Sequence, residues 1–144
     1  MQAVTDLVRW DVPFADARDP SVSLVLEHGG DAAVLIVAPS GIDQYPKYLV
    51  RFERVLVSLC HEEAVALARD YHSRSGVERS VCAYLCPGSP WVDASRYWTE
   101  LSGLSQLQHY LIFGGDSIVE LVAAGQPTVE QIQEKRVIES RYEV

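Results

Sequence analysis

The stretch from His109 to Gly125, HYLIFGGDSIVELVAAG, holds the residues best placed to do chemistry. Folded as a hairpin about Gly115-Asp116, it pairs Phe113 with Ile118, Ile112 with Val119 and Tyr110 with Leu121. His109 then faces Val122, and Glu120 is its diagonal neighbour on the same side. Diagonal neighbours stand roughly 7–8 Å apart, within reach of long side chains. A His–Glu pair can move a proton or contribute two metal ligands. With Tyr110 beside them, His109 and Glu120 form the candidate ligand pocket. A structural or solvent-facing pair is the competing reading, since no nucleophile or third ligand lies nearby in sequence.

Gly-Gly-Asp occurs twice, in LVLEHGGDAAVLIVA and in the segment above. A phosphate site needs a helix N-terminus after the glycines. AAVLIVA and SIVELVA instead read as strands, so both are expected to be turns. Gly115 suits the first loop position of a type II′ turn, where φ is positive. Gly30-Asp31 would pair Leu26 with Val34 in the same way. The diguanylate cyclase signature also contains Gly-Gly-Asp but continues Glu-Phe, which neither site does.

Other candidates are weaker. Cys60 and His61 are adjacent and point apart, a poor nucleophile–base pair. Cys82 and Cys86 have zinc-compatible spacing, but Ala-Tyr-Leu between them reads as strand. On a strand their Cα atoms lie about 13 Å apart, too far for a disulfide. APSGI and PGSPW lack the Gly-x-Ser-x-Gly elbow, and His-Glu-x-x-His is absent. The sequence therefore implies no metal and no cofactor. WVDASRYW gathers Trp91, Arg96, Tyr97 and Trp98, types enriched where proteins dock. The competing reading makes Tyr97 and Trp98 core residues and Trp91 the cover of a loop.

The elements that must position these residues follow from periodicity. Ser21–His28 alternates, with Val22, Leu24 and Leu26 on one face. Ala32–Ala38 is continuously apolar, as in a strand covered on both sides. In 47–59 the apolar parity flips near Arg54, which marks a bulge or a change of sheet. His61–Ser73 reads as a helix, acidic in its first turn and basic in its last. Ser80–Cys86 reads as a strand and 87–90 as a turn. Asp93 is expected to cap a helix over Ala94–Leu101, and Thr128 with Gln131 suggests a capping box for a helix at 129–135. Residues 4–12 read as a short strand or helical turn, and the tail from Arg136 as an edge strand or loose chain. The whole predicts one α+β domain over 1–144: a largely antiparallel sheet of five to seven strands with two or three short helices.

The chain has 144 residues, 48% hydrophobic and 22% charged, with a net charge of −8. That size buries an independent core. A negative surface opposes nucleic-acid binding and favours a basic protein partner. The longest apolar run has seven residues, far short of the roughly 20 that cross a bilayer. No secretory signal is apparent, and three cysteines suit a reducing, cytoplasmic location. In size, acidity and lack of catalytic motifs the chain resembles many small bacterial proteins, some of which are immunity proteins that block a secreted toxin. That resemblance implies a non-catalytic protein-binding domain whose partner is a basic toxin domain. A ligand-binding protein or enzyme centred on His109 and Glu120 is the alternative, and a homodimer through an uncovered face or edge a third.

Overall fold

Alternating and continuous apolar runs dominate this chain, and they fold as strands almost throughout. The computed structural model describes residues 6–27, 31–41, 43–62, 80–102 and 106–133. Nine strands and one helix occur among them, in the order β1 (Val8–Arg9), β2 (Ser21–Glu27), β3 (Ala32–Ala38), β4 (Lys47–Phe52), β5 (Arg54–Glu62), β6 (Ala83–Leu85), α1 (Pro90–Ser102), β7 (Leu107–Phe113), β8 (Ser117–Ala124) and β9 (Thr128–Ile132). One sheet has the order β1-β6-β7-β8-β5 and the other β2-β3-β4-β9. Every pairing is antiparallel. No helix among the described residues is long and apolar enough to cross a membrane.

The mostly-β architecture corrects the expected α+β fold with its single sheet and two or three helices. Two local signals misled. The Thr128/Gln131 capping box lies in a strand, because β9 pairs with β4 from Arg51↔Thr128 to Lys47↔Ile132. A nonlocal edge outcompetes a capping interaction of about 1 kcal/mol. His61 and Glu62, expected to open a helix, still belong to β5. The rest of that expected helix, and the tail after Gln133, lie outside the described residues.

The parity flip near Arg54 has two causes. The chain leaves one sheet at Phe52 and enters the other at Arg54, and the register of β5 shifts between Val55 and Val57. β8 makes the same passage into β9 through Gly125, whose φ is +77°. The two long strands thus cross between sheets side by side, a corner built from a bulge and a bend.

Between the sheets lies the main core. Ala33, Leu35, Val37, Val50 and Phe52 contribute from one side, and Tyr110, Ile112, Val119, Leu121 and Ala123 from the other. Trp10 closes its rim, 4.9 Å from the Tyr110 ring and 6.1 Å from Phe14.

The second Gly-Gly-Asp hairpin has the expected register, Phe113↔Ile118 through His109↔Val122. Its turn differs: Gly115 does not adopt a positive φ. The glycines serve close approach instead. A Cβ on Gly114 would lie 2.9 Å from the Ser117 carbonyl oxygen and 3.1 Å from that of Pro20, while the Gly115 N–H donates to Pro20 O at 2.9 Å. At the first copy Leu26 pairs with Ala33 and Val25 with Val34, one residue from the expected register. Residues 28–30 of that turn lie outside the described residues.

Candidate functional site

Period-two alternation sends Tyr110, Ile112, Val119 and Leu121 into the main core and His109, Leu111, Ile118 and Glu120 to the opposite face. On β5, beyond its bulge, Val57, Leu59 and His61 oppose Val122, Glu120 and Ile118. Glu120 therefore has an imidazole diagonally to each side, His109 on β7 and His61 on β5. His109 Nε2 lies 2.9 Å from Glu120 Oε1, and His61 Nε2 lies 3.2 Å from Oε2. Glu120 is 0% exposed, His109 1% and His61 9%. A buried carboxylate is tolerated only when donors replace its water, and the two ring N–H groups do so.

The other ring nitrogen of His109 meets a residue from a different element. Ser89 Oγ lies 2.7 Å from His109 Nδ1. Ser89 is also the N-cap of α1, with Pro90 at the first helical position. Its Oγ accepts the N–H of Trp91 at 3.1 Å and of Val92 at 3.3 Å. With both lone pairs so engaged, the hydroxyl proton goes to Nδ1, and the Nε2–H donates to Glu120. Asp93, expected as the cap, sits in the first turn instead, where its charge suits the helix dipole.

Cys86 holds the imidazole from a third side. Its N–H donates to the His109 carbonyl at 3.0 Å, and its thiol is hydrogen-bonded to the ring. Burial works against protonation of His109, but Cys86 and Glu120 together outweigh it and raise its pKa above the ordinary 6.5. Trp91 stacks on the ring, 4.8 Å between centroids and 13° between planes. Beside Trp91 opens a cavity of about 350 Å³ lined by Leu56, Val57, Ala94 and Ser95. The Ser95 hydroxyl donates to Trp91 O at 2.7 Å.

The structure thus brings His109 and Glu120 together and adds Trp91 to them. Tyr110 lies on the opposite face, among Trp10 and Phe52, so it does not line their pocket; burial pushes its hydroxyl up to about 12. Arg96 is exposed on α1, 3.4 Å from Asp93. The side chains of Tyr97 and Trp98 lie outside the described residues. Cys82 and Cys86 part company: Cys82 donates its thiol proton to Phe14 O at 3.2 Å, and burial pushes it up to about 11. None of Cys60, Cys82 and Cys86 forms a disulfide, and no group of three ligands among the described residues is placed to hold a metal ion.

Sequence reading missed Ser89 and weighed His61 and Cys86 only against Cys60 and Cys82. Ser89-Pro90 carried a usable signal, a capping residue before a proline suited to the first helical position. His61 was detectable only by extending the parity of Val57 and Leu59 two residues further. No family model matches the chain, and no curated protein or solved structure shows significant similarity to it.

Proposed function

We propose that this chain is an acyl-transfer enzyme, in its simplest form a hydrolase, with Ser89 as nucleophile, His109 as base and Glu120 as the group that orients and charges the base. The observation that carries it is the unbroken relay Ser89 Oγ–His109 Nδ1 at 2.7 Å and His109 Nε2–Glu120 Oε1 at 2.9 Å. A hydroxyl bonded to an imidazole that a buried carboxylate fixes from behind is the arrangement of an activated nucleophile. Ser89 is 1% exposed, so a substrate reaches it only as the first turn of α1 moves.

The chemistry balances with these groups alone. Ser89 Oγ attacks the acyl carbon and its proton passes to His109 Nδ1. The resulting imidazolium sits against the Glu120 carboxylate, and as the first turn of α1 moves, Ser89 Oγ leaves the N–H groups of Trp91 and Val92 and frees a lone pair for the attack. The bond to the leaving alcohol breaks, and His109 returns the proton to that alcohol. Water then attacks the acyl-serine by the same steps, releasing the acid and restoring the Ser89 hydroxyl. His61 keeps the second carboxylate oxygen occupied and so holds Glu120 in place.

The test is covalent labelling with a fluorophosphonate, read by mass spectrometry. One adduct on Ser89 in the folded chain, absent from Ser89→Ala and from wild type unfolded in urea, is the expected result. Labelling no greater than in Ser89→Ala overturns the proposal. An iodoacetamide adduct on Cys86 with none on Ser89 would move the nucleophile to the thiol.

A second reading is a protein-binding domain, immunity-type inhibition being its sharpest form. The net charge of −8 and the exposed Arg96 on α1 favour it. Its partner would be a basic toxin domain and its compartment the cytoplasm, with a homodimer as the other assembly. A salt-sensitive complex with a basic protein encoded beside the gene supports this reading. A pull-down that yields no protein partner counts against it.

A further inference from the structure

The cavity beside Trp91 is one row of side chains away from the relay. Val57 on β5 opposes Val122 on β8, and Val122 opposes His109 on β7. Neighbouring strands lie about 4.8 Å apart, so the cavity wall at Val57 stands roughly 10 Å across the sheet from the His109 backbone. Trp91 belongs to both places, stacking on His109 and lining the cavity.

We infer that this cavity is the acyl-group subsite of the Ser89 centre and selects uncharged, apolar acyl groups of short chain. The inference rests on the acyl-transfer reading above. Three observations support it. Among the described residues, Leu56, Val57, Ala94 and Trp91 line the cavity with one polar residue, Ser95, whose hydroxyl proton is committed to Trp91 O. No lining side chain among the described residues carries a charge that could pair with an anionic acyl group. A volume of about 350 Å³ lies at the small end of the range for ligand pockets.

Trp91 is a positioning residue in this scheme. Its ring separates the cavity from the imidazole, so it must slide aside as the acyl carbon meets Ser89, leaving the aliphatic chain over Val57 and Leu56.

The experiment measures kcat/KM of the purified full chain on 4-nitrophenyl acetate, butyrate, hexanoate and hemisuccinate, each with Ser89→Ala as blank. Two extra methylenes in an apolar site are worth roughly tenfold, so butyrate should exceed acetate by about that factor. Hemisuccinate, similar in length but anionic, should fall at least about tenfold below butyrate. Ala94→Trp fills the cavity from the helix side. It should lower butyrate turnover about tenfold more than acetate turnover. Leu56→Ala enlarges the cavity and should raise the hexanoate-to-butyrate ratio, which keeps the question open to decision if Ala94→Trp does not fold. Ser89-dependent turnover without an acyl preference, or equal loss on acetate and butyrate in Ala94→Trp, overturns the subsite and leaves the Ser89 reading standing. Absence of Ser89-dependent turnover on every ester overturns both.

Discussion

A carboxylate with no exposed surface must find donors within its own reach, and Glu120 finds one on each neighbouring strand. Removing it strands two buried imidazoles, so Glu120→Ala should cost about 3–5 kcal/mol in urea unfolding. Ser89 separates capping from chemistry. Ser89→Ala should cost about 1 kcal/mol and Ser89→Gly only a few tenths, yet both should lose fluorophosphonate labelling completely. Equal labelling of Ser89→Gly and wild type would reduce Ser89 to a cap. The raised pKa of His109 fixes two signs. As a base His109 must be neutral, so labelling should rise with pH through an inflection above 6.5. Its contribution to stability runs the other way: a raised folded pKa stabilises fully below the unfolded value and fades as pH rises through the folded one. The melting-temperature difference between wild type and His109→Ala should therefore shrink on going alkaline. The groups that face this imidazole are Glu120 from β8, Cys86 after β6 and Ser89 at the head of α1, with His61 acting through Glu120.

At the scale of the element, the β7–β8 hairpin was legible because a two-residue period fixes faces without any knowledge of the rest of the fold. Its register and its segregation of His109 and Glu120 from Leu121 follow from alternation alone. What alternation cannot supply is the third partner. Ser89 reaches His109 from a helix that starts at Pro90, so its cap lies four residues before the expected Asp93. The strand at Thr128–Ile132 was hidden by a local capping pattern and revealed only by its distant partner β4. The turn itself makes a testable claim. Gly114→Ala places a methyl 2.9 Å from one backbone oxygen and 3.1 Å from another, so it should destabilise by about 1–3 kcal/mol. Gly115→Ala, whose nearest neighbour is at 3.3 Å, should cost less in the same thermal melts.

Across the whole molecule, two passages between sheets bind distant segments. β4 pairs with β9 and β5 with β8, so contacts spanning some sixty residues or more must close before either sheet is complete. Such nonlocal pairing predicts folding in milliseconds to seconds rather than microseconds, measurable by stopped-flow dilution from urea. The α+β expectation failed at this scale, since no local pattern says that one long strand serves two sheets. The alternation that separates core from relay also acts as a proofreader. A hairpin mispaired by a single residue would turn Glu120 inward, among Phe52 and Tyr110, with neither imidazole to meet it. An unpaired carboxylate in that aromatic interior costs several kcal/mol, so the same residue that arms the outer face penalises the nearest wrong fold.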